Sequence, residues 1–309
     1  MTETVAPAPA AEERRFGFVA VLGAPNAGKS TLVNRLVGAK VSIVSPKVQT
    51  TRTRVLGIAI RGAAQLVFVD TPGIFTPRRR LDRSMVAAAW RGAADADLVL
   101  LLVDAAKPRL DEDTRGIMAG LRQSGRKAVL ALNKVDVIRP EKLLGLTAEL
   151  DATGLFTDIF MISALTGDGV EDLAANLAGR LPPGPWHFPE DQLSDMPQRL
   201  LAAELTREQL FIQLHRELPY ALTVESETWE EFDDGSVKIN QVIFVRRDSQ
   251  KAIVLGKGGQ RIKAVREAAQ KELAEMLGRP VHLFLYVKVR EGWQDDPERY
   301  RELGLDFNS

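Results

Sequence analysis

The sequence predicts two successive domains: an α/β domain with a mixed, mostly parallel sheet and helices on both faces, then a smaller α+β domain. Three observations predict this. From Phe16 to Arg180, apolar runs of strand length alternate with amphipathic helical stretches. The interval Leu181-Pro-Pro-Gly-Pro-Trp-His-Phe-Pro189 carries four prolines, which can continue neither helix nor sheet, and so divides the chain. Beyond it a helix, a hairpin, two further helices and a last strand form a differently ordered set. A chain of 309 residues, 45% hydrophobic and 27% charged, is long enough for two cores and ordinary for a soluble globular protein.

The first strand, Phe16-Gly-Phe-Val-Ala-Val-Leu22, runs into Gly23-Ala24-Pro25-Asn26-Ala27-Gly28-Lys29-Ser30, a complete G-x-x-x-x-G-K-[ST] loop. Lys29, Ser30, Thr31 and the residues to Val37 have helical spacing, with Leu32, Leu36 and Val33 or Val37 facing inward. Strand before and helix after give the motif its meaning. Its glycines let backbone N–H groups curl round a β-phosphate, and the positive end of the helix favours the anion. Lys29 would neutralise the β and γ oxygens, and Ser30 would place a hydroxyl on Mg2+.

Next comes Val41–Arg54, polar and rich in Thr and Arg, then two strand-like runs, Val55–Arg61 and Gln65–Val69, about a Gly62-Ala-Ala turn. The second ends in Asp70-Thr71-Pro72-Gly73. After a P-loop, a strand ending D-x-x-G supplies a carboxylate for Mg2+, through water, and a glycine N–H that senses a γ-phosphate. In Ras-like enzymes a glutamine follows and orients the attacking water. Here the residue is Ile74, which cannot do so and reads as a packing residue, so intrinsic hydrolysis should be slow or use another group.

Asp97–Val103, Lys127–Leu132 and Asp158–Ile162 are continuous apolar runs, as expected of strands covered on both faces. Helical stretches lie near Arg83–Gly92, Glu112–Ser124, Glu141–Thr153 and Gly169–Arg180. One strand ends in Asn133-Lys134-Val-Asp136, an N-K-x-D sequence whose carboxylate can accept the N1–H and 2-amino donors of guanine. Another ends in Ser163-Ala164, where a backbone N–H could meet guanine O6. A site built on such pairing rejects the wrong base strongly, because the mismatched group is left buried and unpaired. In this order, the three motifs read as a P-loop GTPase domain.

After the linker, Met196–Leu218 has helical spacing and Pro219 stops it; Tyr220–Phe232 and Ser236–Val245 alternate about Asp233-Asp-Gly235 as a long hairpin. Trp186 and Phe188 of the linker are expected to pack on a domain surface. Glu225, Glu227, Glu230, Glu231, Asp233 and Asp234 make the first arm acidic, read as a solvated outer face. Lys and Arg number 41 and Asp and Glu 41, yet residues 236–290 hold twelve cations against four carboxylates. At the centre lies Gly256-Lys257-Gly258-Gly259, a G-x-x-G loop followed by Arg261 and Lys263 on a helix with Ile262, Val265, Ala269, Leu273 and Leu277 on one stripe. Helix, hairpin, short helix, G-x-x-G, long helix and the final strand Val281–Val289 give the αββααβ order of a type II KH domain. In such domains the loop clamps the RNA backbone while a groove receives unpaired bases.

The chain has no cysteine, so it holds no disulfide or Cys-ligated zinc, and a reducing cytoplasm fits. No apolar run approaches membrane-spanning length, and Met1–Glu13 lacks the basic start and apolar core of a signal peptide. The expected division is a disordered tail at 1–15, the G domain at 16–181, the linker at 182–195, the KH domain at 196–293 and an extension at 294–309.

These residues, in this order, resemble the Era family of bacterial GTPases, a G domain followed by a C-terminal KH domain, from roughly Phe16 to Trp293. The resemblance implies GTP hydrolysis coupled to maturation of the small (30S) ribosomal subunit, with the KH domain on single-stranded RNA near the 3′ end of 16S rRNA. Gln49-Thr-Thr-Arg52 looks like the family's switch I signature, which implies Thr51 as a Mg2+ ligand in the GTP state. Catalysis would then rest on Lys29, Thr51, Asp70 and Gly73, and the metal on Ser30, Thr51 and Asp70. Asn26 matches an asparagine linked in related GTPases with K+ beside the phosphates. The family also implies a cytoplasmic monomer with loose association at the inner membrane face. A reading from another class, a signalling GTPase that recruits a membrane or protein partner through a non-RNA module, stays open; salt-sensitive RNA binding separates the two.

Overall fold

The structure, a computed structural model, describes residues 13–47, 50–77, 79–214, 218–293 and 296–308. Residues 1–12 of the tail expected at 1–15, Gln49 of the switch I signature and residues 215–217 of the Met196–Leu218 stretch lie outside those described, while Arg15 of that tail already opens the first strand. Alternating apolar runs become β1 (Arg15–Leu22), α1 (Lys29–Val37), β2 (Val55–Arg61), β3 (Ala64–Asp70), α2 (Arg80–Asp95), β4 (Leu98–Asp104), α3 (Glu112–Gln123), β5 (Ala128–Asn133), α4 (Pro140–Asp151), β6 (Phe156–Ile162) and α5 (Val170–Arg180). The six strands form one sheet in the order β2-β3-β1-β4-β5-β6, with only β2 antiparallel to its neighbour. Residues alternate between its faces, so Val19, Leu66, Leu100 and Leu102 meet Leu32 and Leu36 of α1 and Leu173 and Leu177 of α5 on one side. Ala20, Leu22, Val99 and Leu101 meet Ala89, Ile117, Leu121 and Leu143 of α2, α3 and α4 on the other. Parallel strands put every loop that follows a strand on one edge, and there the P-loop, D-x-x-G, N-K-x-D and Ser163-Ala164 meet. One expectation changes: β6 closes the sheet, so its run is only half covered, and Met161 is exposed.

The second unit runs α6 (Gln198–Gln213), β7 (Leu222–Glu231), β8 (Val237–Val245), α7 (Asp248–Leu255), α8 (Gln260–Leu277), β9 (Val281–Val289) and α9 (Pro297–Glu302). Its sheet is β7-β8-β9, with β7 antiparallel and β9 parallel to β8. The stripe on α8 lies as expected, with Val265, Ala269 and Leu273 buried and Ile262 and Leu277 partly so. The acidic arm is not merely a solvated face: Glu227, Glu230 and Glu231 pair with Lys288, Lys238 and Arg279. Three of the twelve cations are thereby paired.

The two units are tied by the chain between them and by both of its flanks. Trp186 donates its indole N–H to the Ala63 carbonyl at 2.9 Å, Gln65 bonds the Phe188 backbone, and Ile58 N–H reaches the Leu193 carbonyl. The linker thus lies along the β2–β3 edge, with its aromatics packed as expected. The polar end of the chain is more ordered than its composition suggests: Tyr300 and Leu305 are buried against Leu81 and Met85 of α2. Arg80 stacks its guanidinium over Phe307 at 4.4 Å.

Candidate nucleotide and RNA sites

Gly28 shows why the P-loop needs glycine. Its φ is +100°, and a Cβ there would stand 2.3 Å from the Asn133 amide nitrogen. Lys29 begins α1 with its ammonium turned back into the loop, 3.0 Å from both the Gly23 and Ala24 carbonyls. Burial lowers its pKa to about 8, with Asp70 pulling the other way. Asn26 is left-handed at φ +63° and donates to the Pro46 carbonyl at 2.9 Å, fastening the loop to the Val41–Arg54 segment. Gly73 lies against Pro25, where a Cβ would come within 3.1 Å of the backbone. Ile74 turns into the core and donates its N–H to Gly23, so it is the packing residue that its chemistry suggested.

Asp70, fully buried at the end of β3, gathers the hydroxyls. Ser30 Oγ lies 2.8 Å, Ser42 Oγ 2.6 Å and Thr51 Oγ1 3.3 Å from its Oδ2, while Ser30 and Thr51 are 2.9 Å apart. Its Oδ1 is buried with no hydrogen-bond partner. Burial pushes the Asp70 pKa up, opposed by the hydroxyl bonds and by Lys29. Converging hard oxygens and one unpaired carboxylate oxygen fit a hard divalent cation such as Mg2+. Among the described residues no cluster of three or more His, Cys, Asp or Glu could hold a metal by itself, as befits an ion bound jointly with phosphates. Thr71 is spent on structure, its hydroxyl bonded to the Val21 carbonyl, and Pro72 is buried beside it.

The base pocket lies next door, lined by Gly28, Thr31, Asn133, Lys134, Asp136 and Ala164 among others. Asn133 staples the loops together: its amide donates to the Ala27 carbonyl at 2.7 Å and accepts from Ala164 N–H at 2.9 Å. Ser163 N–H is also engaged, by the Asp168 carbonyl. An O6 contact from Ala164 must therefore share a donor already in use. Asp136 stays exposed in a short helical turn, its carboxylate available to a base.

In the second unit Gly256, Gly258 and Gly259 have φ of +72°, +58° and +77°, and a Cβ on Gly256 would meet Arg261 Cβ at 2.7 Å. The loop exposes Lys257 between α7 and α8, with Ile253 of α7 exposed beside it and Arg261 donating to the Ile253 carbonyl. Lys263 leans on Glu267 at 3.9 Å. Among the described residues no carboxylate lies within ion-pair distance of Lys257, Lys251, Arg246 or Arg247, so cationic charge is concentrated round the loop.

Between these sites lies what the motifs did not reveal. Ile43, in the segment after α1, packs with Ala202 and Leu205 of α6. Val44 N–H bonds Glu208, Lys40 pairs with Glu208 and Glu272, and Lys47 donates to the Phe211 and Leu214 carbonyls. Arg52 is wholly buried, donating to the Leu222 carbonyl at 2.8 Å and the Pro219 carbonyl at 3.3 Å. Arg207, equally buried, binds Glu204 and the Thr50 carbonyl. Burial, with Arg207 nearby, lowers Arg52 to about 9. Ser42 and Arg207 had no local signal, since each acts across the fold.

Comparison with known proteins agrees with this geometry. The family model described as "50S ribosome-binding GTPase" matches residues 18–134 and that of the KH domain matches 217–294. The chain is 64% identical over 293 residues to the GTPase Era of Rhizobium meliloti, covering 95% of this chain and 93% of that one. It is 60% identical over 311 residues to that of Agrobacterium fabrum, covering 99% and 98%. Among solved structures, an Era variant of Aquifex aeolicus bound to GDP·AlF4− superposes with a TM-score of 0.88 at 38% identity, covering 94% of this chain and 99% of that one. An Era in complex with MgGDPNP and nucleotides 1506–1542 of 16S ribosomal RNA superposes at 0.89 and 39% identity, with the same coverage. A P-loop GTPase domain with the guanine motifs, joined to a KH domain and alike along nearly the whole length, places this chain in the Era family of GTPases.

Proposed function

We propose that this GTPase is a switch that binds the 3′ region of 16S rRNA through its KH domain and assists 30S assembly and rRNA maturation. The observation that carries the proposal is that two neighbours in one segment tie the nucleotide site to the second unit: Thr51 sits at Ser30 and Asp70 while Arg52 donates to the Pro219 carbonyl and to that of Leu222 at the start of β7. A solved relative holding a nucleotide analogue and 16S rRNA together supports it.

In the reaction, GTP and water give GDP and phosphate. Lys29 and the N–H groups of the P-loop would hold the β and γ oxygens, and Gly73 N–H would meet the γ-phosphate. Ser30, Thr51 and Asp70 would hold Mg2+, which when bound offsets charge on the bridging phosphate oxygens. With Ile74 in the core, water is oriented by groups other than the residue after Gly73. Asn26 would hold a K+ ion, which would supply positive charge beside the phosphates; unchanged hydrolysis when Na+ replaces K+ removes it. Asp136 selects guanine. Loss of the γ-phosphate would release Thr51 from Ser30 and Asp70, and the movement would reach the KH domain through Arg52 and Ile43.

Crosslinking in cells, followed by sequencing of the bound RNA, tests the reading. Recovery of the 3′ end of 16S rRNA is expected. Recovery of no RNA, with binding to liposomes or a protein that is lost on hydrolysis, replaces it with a recruiting GTPase.

A further inference from the structure

Two residues outside every motif hold the walls of the base pocket. Arg35 lies on α1, more than a hundred residues from the turn after β6, yet its guanidinium donates to two successive carbonyls of that turn, Ala164 at 3.4 Å and Leu165. Leu165 lines the pocket and is 70% exposed, so its side chain is presented at the pocket mouth rather than stored in the core. Asp104 ends β4, one strand away from the N-K-x-D turn in space. Its Oδ1 accepts Ala106 N–H at 3.0 Å, which fixes the carboxylate, and its Oδ2 takes the Lys134 ammonium at 2.6 Å. Lys134 has a φ of +69°, a left-handed conformation that costs a lysine about 1 kcal/mol or more. The Asp104 pair is what keeps its stem along the pocket.

We infer that Arg35 and Asp104 are positioning residues for guanine nucleotide: Arg35 holds the Ala164-Leu165 turn and Asp104 holds Lys134, so that the flat purine enters a preformed slot. This rests on the guanine reading of the site. Arg35 spends its charge on backbone carbonyls and Asp104 spends its charge on Lys134, and neither bonds the phosphate-side oxygens of Ser30, Thr51 and Asp70. The consequence is specific. Removing either brace loosens the slot before nucleotide arrives, so the loss falls on affinity and on the rate of nucleotide escape rather than on the chemical step.

The test uses the full-length protein with fluorescent GDP and GTP in stopped flow, together with steady-state hydrolysis. Arg35→Ala and Asp104→Asn are each expected to speed nucleotide release and raise KM by roughly tenfold or more, as loss of a charge-assisted hydrogen bond does. Arg35→Lys and Asp104→Glu, which keep the charge, should recover part of it. A loss of kcat with KM unmoved, or release at the native rate, overturns the inference. Asp136→Asn is measured in parallel with xanthosine triphosphate. If it gains xanthosine nucleotide while both brace variants bind GTP normally, only the braces are refuted; if it gains nothing, the guanine reading itself fails. Melting curves separate unfolding from the effect, and a brace variant that unfolds is replaced by Arg35→Gln or Asp104→Ser, which also remove the charge but keep a polar group, and whose native release rate would equally refute the idea.

Discussion

Thr51 and Arg52 are neighbours in sequence that serve different units of the molecule: the Thr51 hydroxyl stands 2.9 Å from Ser30 Oγ, and the Arg52 guanidinium stands 2.8 Å from the Leu222 carbonyl. One peptide unit therefore joins the phosphate site to the second unit.

Arg52→Ala is the most direct probe of that joint. It leaves the Leu222 and Pro219 carbonyls without their donor and opens space beside Phe211 and Trp293, where the guanidinium lies 5.7 and 6.0 Å from the ring centres. The expected cost is roughly 2 to 4 kcal/mol of stability in the contact between units, read by denaturant melts. Arg52→Lys should recover little, because an ammonium lacks the planar fork that reaches two carbonyls.

Lys29→Ala should abolish nucleotide binding, measured by titration calorimetry. The pH dependence follows from its pKa of about 8, against 10.5 for an ordinary lysine. Between those values the unfolded chain holds the proton and the folded one does not, so stability without nucleotide rises with pH across that window. Phosphates favour the charged form, so GTP affinity falls over the same window, by up to about tenfold per pH unit. Calorimetry in buffers of different ionisation enthalpy should show proton uptake on binding above pH 8.

Asp136→Asn should shift preference from guanosine toward xanthosine nucleotide, because an amide can donate where the carboxylate only accepts. Competition binding with the two triphosphates checks it.

Gly258→Asp should weaken single-stranded RNA binding by about tenfold or more while leaving GTP affinity intact. No atom lies within 4 Å of the new Cβ; the left-handed φ of +58° adds strain that Asp tolerates better than most residues, and its negative charge beside Lys257 repels a phosphate backbone. Anisotropy titrations with labelled RNA supply the number.

Much of this was legible in the sequence because it is local. Strand periodicity, the P-loop, D-x-x-G, N-K-x-D and the G-x-x-G helix each state their role within a few residues. Other features are set across the fold. Arg52 reads as one more polar residue in a Thr- and Arg-rich stretch until Leu222 and Pro219 meet it. Tyr300 lies in a polar tail, and its burial needs Leu81 and Met85 of α2 as well as Phe307 of the tail itself. Glu227 and Lys288 stand on strands that do not adjoin, so neither predicts the other's charge. Even the donor expected at Ala164 was spoken for by Asn133, a contact spanning 31 residues.

The central claim is that nucleotide state is felt by RNA through the Thr51-Arg52 joint. Affinity for a 16S 3′-end RNA, measured with a non-hydrolysable GTP analogue and again with GDP, tests it in the native protein and in Arg52→Ala. The account predicts different affinities in the two states for the native protein and nearly equal ones for the variant. Equal affinities in the native protein, or a difference that survives Arg52→Ala, would contradict it.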